Sequence, residues 1–226
     1  DQVDLIKSIN KLLSMNGTLV FEEPYLGSMF KKVSYDQIYD EHIFMFSATS
    51  IKKVFAKYNF ELLDIIPQKT HGGSMRYVVG RKNSSKVSEN VKKILRKERN
   101  KNIDNIKGCL NFKKNCEISK KNLIAKLSFF KKRNYKIAGY AATSKSTTIL
   151  NYCNISTNYI DYICDTTKEK IGKYSPGTHI PIVSMDYFKK NIPDRIFLFA
   201  WNHKKEILKK EKALRDKNKW FAHIKI

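Results

Sequence analysis

The sequence predicts an α/β protein with two wound sheets, in which helices alternate with strands. Three observations support this fold class. Apolar residues recur at helical spacing from Val3 to Leu13, and the apolar segment Thr18–Phe21 follows them as a short strand. Two strand-like runs, Phe60–Pro67 and Ser74–Gly80, come later. From Ile118 onward the pattern restarts, and strands alternate with helices to the end of the chain.

The elements of the first sheet are bounded by recognisable stop and start signals. Asn16 and Gly17 supply a left-handed end for the first helix. A second helix is predicted from Ser50, with Ser47 or Thr49 as its N-cap, and Asn59 ends it. The two later strands are joined either as a simple hairpin or by a glycine loop that approaches a ligand.

The second sheet is predicted from the alternation that starts near residue 118. Its expected elements, in order, are helix 121–132, strand 135–138, loop 139–145, helix 146–152, strand 159–164, segment 180–183, strand 195–200, helix 204–216 and strand 220–226. The charged region 82–128 reads as one or two surface helices that bridge two domains. We therefore divide the chain into domains at 1–82 and 129–226, with a helical linker at 83–128.

Composition indicates a globular protein and argues against nucleic acid as the main partner. Hydrophobic residues make up 42% and aromatic residues 12% of the chain, which excludes a disordered polypeptide. The formal net charge is +23, but only seven of the 44 basic residues are Arg, so 37 are Lys. Abundant Lys, Asn and Ile are the expected imprint of an AT-rich genome, and Arg, the preferred residue for phosphate and base contacts, is scarce.

From the cysteines and the hydropathy pattern we expect a cytoplasmic protein. The four cysteines form no Cys-x-x-Cys pair and have no metal-ligand spacing with His, so we expect reduced thiols and no metal. No apolar run approaches the ~20 residues that a membrane span needs, and no leader opens the sequence. The chain starts at Asp1, inside a predicted helix, and we expect it to be a fragment of a longer protein.

The segment 35–47 carries the strongest chemical signal. It places three carboxylates, two tyrosines and His42 within eight residues and then becomes apolar. A histidine is the side chain best able to exchange a proton at neutral pH, and adjacent carboxylates can orient it. His42 is therefore a candidate general base. The alternative interpretation is the start of an amphipathic helix, with the acidic residues at its positive end.

Five ordered segments resemble one enzyme family. The motif Tyr39-Asp40-Glu41-His42 followed by Phe44–Ser47 is its centre. The others are Asn16–Tyr25, Thr70–Arg76, Gly139–Lys145 with Leu150–Cys153, and Pro176–Ile182 with Trp201-Asn202. Together they resemble the sugar C-methyltransferases, bacterial enzymes that methylate a carbon of a nucleotide-linked keto sugar with S-adenosylmethionine. The resemblance implies that the first sheet is part of a class I methyltransferase (Rossmann-like) sheet and that a second Rossmann-like sheet follows.

The resemblance also implies the roles of individual residues. His42 would remove a proton, Tyr39 would donate to the developing oxyanion, and Glu41 would orient His42 or bind a sugar hydroxyl. The residues expected at the nucleotide-diphospho-sugar substrate are Tyr25, His71, Gly72, Tyr140, Ser144, Lys145, His179 and Asn202. Family members begin with a cysteine-rich zinc-binding segment and a glycine-rich loop that grips S-adenosylmethionine. Neither occurs in this sequence, so no residue of the chain is assigned to the cofactor.

The loop Gly139–Ser146 meets neither known phosphate-binding motif. It lacks two of the three glycines of G-x-G-x-x-G and the Gly-Lys pair of the P-loop. It still offers a helix start with hydroxyls and Lys145, which can hold a diphosphate. Asp165 either meets a ribose hydroxyl or starts a turn with Thr166. Trp201 is expected in the core, and Asn202 is the better hydrogen-bonding candidate.

Two other functions stay open from the sequence. The strand, loop and Asp165 of the second sheet also fit a nucleotide-sugar or dinucleotide oxidoreductase, and the net charge fits a basic module that binds polyanions. A nicotinamide titration or salt-dependent DNA retention would distinguish them. We expect the enzyme to act as a monomer.

Overall fold

The computed structural model describes residues 2–214 and 219–225. The chain forms two compact units. The first contains residues 1–31 and 44–113, and the second contains 32–43 and 114–226. These units divide the chain differently from the predicted domains, whose boundaries stay a prediction. Residues 32–43, expected in the first domain, are part of the second unit, and the predicted linker 83–128 is divided between the two units at Lys113.

The first unit is a three-stranded sheet with helices. Its helices are α1 (Gln2–Leu12), α2 (Leu26–Lys32), α3 (Ala48–Ala56) and α4 (Glu89–Asn100), and its strands are β1 (Thr18–Pro24), β2 (Phe60–Gln68) and β3 (Ser74–Arg81). Strand β3 lies between β1 and β2 and runs antiparallel to both. The predicted pairing of β2 with β3 is thus confirmed as a hairpin. Tyr77, Ile51 and Ile65 are fully buried in the core of this unit.

The start of α3 shows how local sequence fixes an element. Ser47 is the N-cap, and its hydroxyl accepts a hydrogen bond from the Ser50 N–H at 3.0 Å. The Ser50 hydroxyl accepts in return from the Ser47 N–H at 2.9 Å. The buried Glu98 carboxylate accepts from the next two N–H groups, those of Ala48 at 2.7 Å and Thr49 at 2.9 Å. Three helix N–H groups that have no partner within the helix are therefore satisfied.

Replacement of Ser47 by Ala removes this cap, and we expect it to lower the free energy of unfolding by about 1 kcal/mol. Urea denaturation followed by circular dichroism measures the change. The matched control is Lys52→Ala on an exposed position of the same helix, which we expect to shift stability by less than about 0.5 kcal/mol. Equal effects of the two substitutions would show that the cap contributes nothing.

The second unit is a five-stranded parallel sheet with helices between its strands. Helix α5 (Ile106–Lys131) enters it from the first unit. The other elements are β4 (Ile137–Tyr140), α6 (Ser144–Cys153), β5 (Tyr162–Cys164), β6 (Ile182–Val183), α7 (Met185–Lys190), β7 (Arg195–Leu198), α8 (Lys204–Lys210) and β8 (Trp220–Phe221). The strand order is β6-β5-β4-β7-β8, with every neighbouring pair parallel. The predicted wound parallel sheet, and with it the Rossmann-like class, is confirmed.

Several predicted elements differ in detail. The charged region up to residue 132 forms two helices, α4 and the 26-residue α5. The helix predicted to begin at residue 121 is therefore the second part of α5. Helix α7, capped by the Ser184 hydroxyl, was not predicted. Helix α8 ends at Lys210, short of the predicted residue 216, and residues 215–218 and 226 lie outside the described range. The segment 35–47 is not a helix: it holds one 3-10 turn, Tyr35–Gln37, and then irregular backbone.

The strand order gives the second sheet a switch point, where sheets of this kind form a ligand-binding crevice. The chain builds β5 and β6 on one side of β4, and β7 and β8 on the other. The connections that leave β4 and β7 therefore diverge to opposite faces, and ligands of such sheets bind between them, at the carboxyl ends of the strands. The residues at this position are 141–145 after β4 and 199–202 after β7. Among the described residues, no helix is both long enough and apolar enough to cross a membrane.

Candidate active site

A buried carboxylate lies at the crevice of the second unit. Asp36, in the 3-10 turn Tyr35–Gln37, has no exposed surface. Its Oδ2 accepts a hydrogen bond of 2.6 Å from the indole N–H of Trp201, which follows β7. Its Oδ1 lies 3.2 Å from Nε2 of His223, and both side chains are fully buried. The turn that precedes the Tyr39–His42 motif is thus fixed to the carboxyl end of the sheet by its own acid.

Lys145 and Asn202, both predicted at the substrate, lie together at this crevice. The Lys145 ammonium donates to Oδ1 of Asn202 at 3.1 Å and lies 4.8 Å from the ring centroid of Trp201. Lys145 is 7% exposed. Burial lowers the pKa of Lys145, the negative charge of Asp36 acts in the opposite direction, and Lys32 lowers it further. Lys145 and Asn202 thus connect the loops after β4 and β7, as ligand-binding residues at a switch point do.

The loop Gly139–Ser146 is held by hydrogen bonds to Asp165 and by bonds among its own residues. The Ala142 N–H donates to Oδ2 of Asp165 at 2.6 Å, and Oδ1 of Asp165 accepts from the Thr167 N–H at 2.8 Å. Thr143 and Ser146 form the capping box of α6. The Asp165 carboxylate therefore accepts backbone hydrogen bonds from two loops. This agrees with the alternative in which Asp165 starts a turn, but the N–H that it binds is that of Thr167 and not that of Thr166.

Tyr39 and His42 are neighbours on the segment that follows Asp36. Their ring centroids are 4.9 Å apart with an interplanar angle of 54°, and the His42 N–H donates to the Tyr39 carbonyl at 3.0 Å. Burial raises the pKa of Tyr39, and the charges of Glu41, Asp36 and Asp40 raise it further. The phenol therefore stays protonated near neutral pH and is available as a hydrogen-bond donor. The Thr148 hydroxyl of α6 donates to the Ile38 carbonyl at 3.2 Å and holds the start of the segment.

The remaining predicted residues of the second unit have different environments. Tyr140 is 7% exposed, its hydroxyl donates to Oε1 of Glu211 at 2.9 Å, and burial raises its pKa. Ser144 is half-buried and starts α6. His179 is exposed and has a left-handed backbone with φ of 54°, and its N–H donates to the Ser175 carbonyl. Tyr140 packs in the core, whereas Ser144 and His179 are accessible.

The predicted residues of the first unit lie at the end of β1 and in the turn before β3. Tyr25 is 4% exposed, and burial together with the charge of Glu98 raises its pKa. His71 and Gly72 belong to the 3-10 turn Thr70–Gly72, in which His71 is exposed and has a left-handed φ of 49°. The Thr70 hydroxyl donates to Glu22, and Arg76 pairs with the same carboxylate at 3.1 Å. Tyr25 thus packs in the core of this unit, and His71 is presented at its surface.

Two residues of the site were not found by sequence reasoning. Asp36 was read only as one of several acids in its segment, and His223 lies near the end of the chain without any motif around it. Trp201 is buried as predicted, but its indole N–H also has a defined polar partner. Within residues 2–214 and 219–225, no group of three or more His, Cys, Asp or Glu side chains could hold a metal ion.

Comparison with known proteins gives two family matches that together cover nearly the whole chain. Residues 69–224 match the C-methyltransferase C-terminal domain, and residues 1–65 match a methyltransferase domain. The C-methyltransferase NovU of Streptomyces niveus is 28% identical over 210 residues, which are 92% of this chain and 50% of that protein. The chain thus spans half the length of this relative. The chain belongs to the family of proteins that carry the C-methyltransferase C-terminal domain.

Proposed function

We propose that this chain is part of an S-adenosylmethionine-dependent enzyme that methylates a carbon of a nucleotide-linked keto sugar. The family match and the name of the relative support methyl transfer to carbon. The observation that carries the proposal is the pair of Tyr39 and His42, whose rings lie 4.9 Å apart on a segment anchored by Asp36. A base beside a protonated phenol is the arrangement that forms and stabilises an enolate.

His42 takes the proton from the carbon next to the sugar ketone. The C–H bond breaks, the proton moves to the imidazole, and the electron pair is delocalised onto the ketone oxygen. The Tyr39 hydroxyl donates a hydrogen bond to that oxygen, because its raised pKa keeps it protonated. Glu41 is exposed beside His42 and either orients the imidazole or accepts a hydrogen bond from a sugar hydroxyl.

S-adenosylmethionine would supply the electrophilic methyl group that the enolate carbon accepts. Strand β1 is followed by Tyr25-Leu26-Gly27-Ser28 rather than a glycine-rich turn, and its Glu22 carboxylate is engaged by Thr70 and Arg76. We therefore assign the methyl donor to no residue of the chain.

We propose that the nucleotide-diphospho part of the substrate contacts residues of the second unit, namely the accessible Ser144 and His179 and the linked pair of the buried Lys145 and the half-buried Asn202. The exposed His71 and the buried Gly72 of the first unit are proposed as further substrate-binding residues. Tyr25 and Tyr140 are buried, and their contribution is to shape the surrounding core.

The test uses an active protein that contains this chain, S-adenosylmethionine with a ¹³C-labelled methyl group, and a panel of nucleotide-linked keto sugars. We expect product NMR to show the labelled methyl bonded to the carbon next to the carbonyl. The matched control is the same sugar with its ketone reduced to a hydroxyl, which cannot form an enolate and should not react. Label on oxygen or nitrogen, or equal reaction of the reduced sugar, would contradict the proposal.

A further inference from the structure

The Asp36 carboxylate is contacted from the ends of two neighbouring strands of the second sheet. Trp201, which follows β7, donates its indole N–H to Oδ2 at 2.6 Å. His223, which follows β8, places its Nε2 3.2 Å from Oδ1. Because β7 and β8 pair in parallel, their carboxyl ends lie at the same edge of the sheet. One ring nitrogen therefore approaches each oxygen of the acid that precedes the Tyr39–His42 motif.

The contact between Asp36 and His223 is the less complete of the two. Both side chains are fully buried. Among the described residues, however, neither Oδ1 of Asp36 nor either ring nitrogen of His223 makes a hydrogen bond of good geometry. Buried polar atoms without hydrogen bonds are costly. Since Oδ1 and Nε2 already lie within hydrogen-bonding distance, a small rotation of the imidazole that directs an N–H at Oδ1 satisfies both atoms.

Other contacts hold His223 in this position without using its ring nitrogens. Its ring lies edge-on to that of Tyr35, with the centroids 5.0 Å apart and an interplanar angle of 62°. The Ser119 hydroxyl of α5 donates to the His223 carbonyl at 3.3 Å. Tyr35 is itself buried and belongs to the same 3-10 turn as Asp36. The alternative role of His223 is therefore to fill space against this turn.

We propose that His223 is a positioning residue whose Nε2–H donates to Oδ1 of Asp36 and fixes the carboxylate that anchors the Tyr39–His42 segment. Hydrogen-bond donors on both oxygens fix the plane of a carboxylate, whereas a donor on one oxygen alone leaves it free to rotate. Tyr39 follows Asp36 closely in the chain, so a shift of the turn displaces the reacting side chains. Misplacement by about 1 Å can lower a rate about 10²-fold. This kinetic consequence rests on the proposed function.

Two substitutions separate the hydrogen bond of His223 from its packing. His223→Gln keeps a side-chain N–H donor but loses the ring, whereas His223→Phe keeps a ring against Tyr35 but has no donor. In an active protein that contains this chain, we expect the Phe variant to lower kcat about tenfold or more, with a smaller change in KM. The Gln variant should keep most of the wild-type kcat. Circular dichroism confirms that each variant is folded.

The hydrogen bond can also be followed without substrate, by NMR of the 226-residue chain. The chain contains two Trp residues, so two indole N–H signals report on it. In the Phe variant we expect the Trp201 signal to shift upfield and its proton to exchange faster with water, because the freed carboxylate turns away from the indole. The Trp220 indole, which donates to the Leu214 carbonyl at 2.6 Å, is the internal control and should not change.

The wild-type chain provides a test that needs no folded variant. Which nitrogen of an imidazole carries the proton is set by the hydrogen bonds of the ring. We therefore expect NMR of the ring nitrogens to show a proton on Nε2 of His223. A neutral ring with its proton on Nδ1 would overturn the proposal.

The outcomes of the two substitutions are equally decisive. A Phe variant that keeps the wild-type Trp201 signal or the wild-type kcat would overturn the proposal. A greater loss of kcat with Gln than with Phe would do the same, since a packing role predicts that order, as would equal displacement of the Trp201 and Trp220 signals. If the wild-type enzyme transfers no methyl group to a keto-sugar carbon, the proposed function fails, and the NMR comparison still decides whether His223 fixes Asp36.

Discussion

Replacement of His42 by Gln in an active protein that contains this chain is expected to lower kcat by about 10²–10⁴-fold, the usual contribution of a general base. Glutamine keeps much of the size and hydrogen-bonding ability of the side chain but cannot accept the proton. His42 is half-buried on irregular backbone beside Tyr39, so we expect the substitution to affect proton transfer more than folding. KM should therefore change much less than kcat.

The matched control is His203→Gln, since His203 is exposed and pairs with the exposed Glu206, three residues further along the chain. Steady-state kinetics with the preferred keto sugar should show wild-type kcat for this variant. A His42→Gln enzyme that keeps more than about half of the wild-type kcat would remove His42 from the mechanism.

Replacement of Asp36 by Ala is expected to lower the free energy of unfolding by about 3–5 kcal/mol, as breaking a buried charged network does. The substitution leaves the Trp201 indole N–H without its acceptor and His223 without its neighbouring carboxylate. It also removes the negative charge that raises the pKa of the buried Lys145. Urea denaturation monitored by Trp fluorescence measures the loss.

Two further variants separate the charge from its hydrogen bond. Asp36→Asn retains an oxygen that can accept from Trp201, so we expect a smaller loss than for alanine. Asp40→Ala removes an exposed acid from the same segment and should change stability by less than about 0.5 kcal/mol. If Asp36→Ala were no more destabilising than Asp40→Ala, the anchor of the motif would lie elsewhere.

The fold could be predicted where one segment of sequence carries its own signal. The period of apolar residues defined α1 and the strands of the hairpin, and local chemistry limited the cap of α3 to Ser47 or Thr49, of which the structure has Ser47. Helix α7 escaped because it has only six residues, too few for a helical period to appear. The helix start predicted at residue 121 is wrong, because the polar residues of α5 continue the helix and give no break signal near residue 120.

The site could be predicted only in part, because its partners are far apart in the sequence. The motif around His42 pointed to proton chemistry, and the strand ends pointed to Lys145 and Asn202, which the fold brings to 3.1 Å. Asp36 and Trp201 are 165 positions apart, and no local pattern couples them. The topology of the second sheet places the end of β7 beside the turn 35–37. Asp36 can therefore anchor the Tyr39–His42 motif to the sheet.

The most direct test of proton removal by His42 is hydrogen exchange without methyl transfer. The enzyme is incubated with the keto sugar in deuterated water, with the methyl donor withheld or replaced by its demethylated product, and NMR follows the proton on the carbon next to the ketone. We expect the wild-type enzyme to exchange this proton for deuterium and the His42→Gln variant to leave it in place. Exchange by the variant at the wild-type rate would contradict the assignment of His42 as the base.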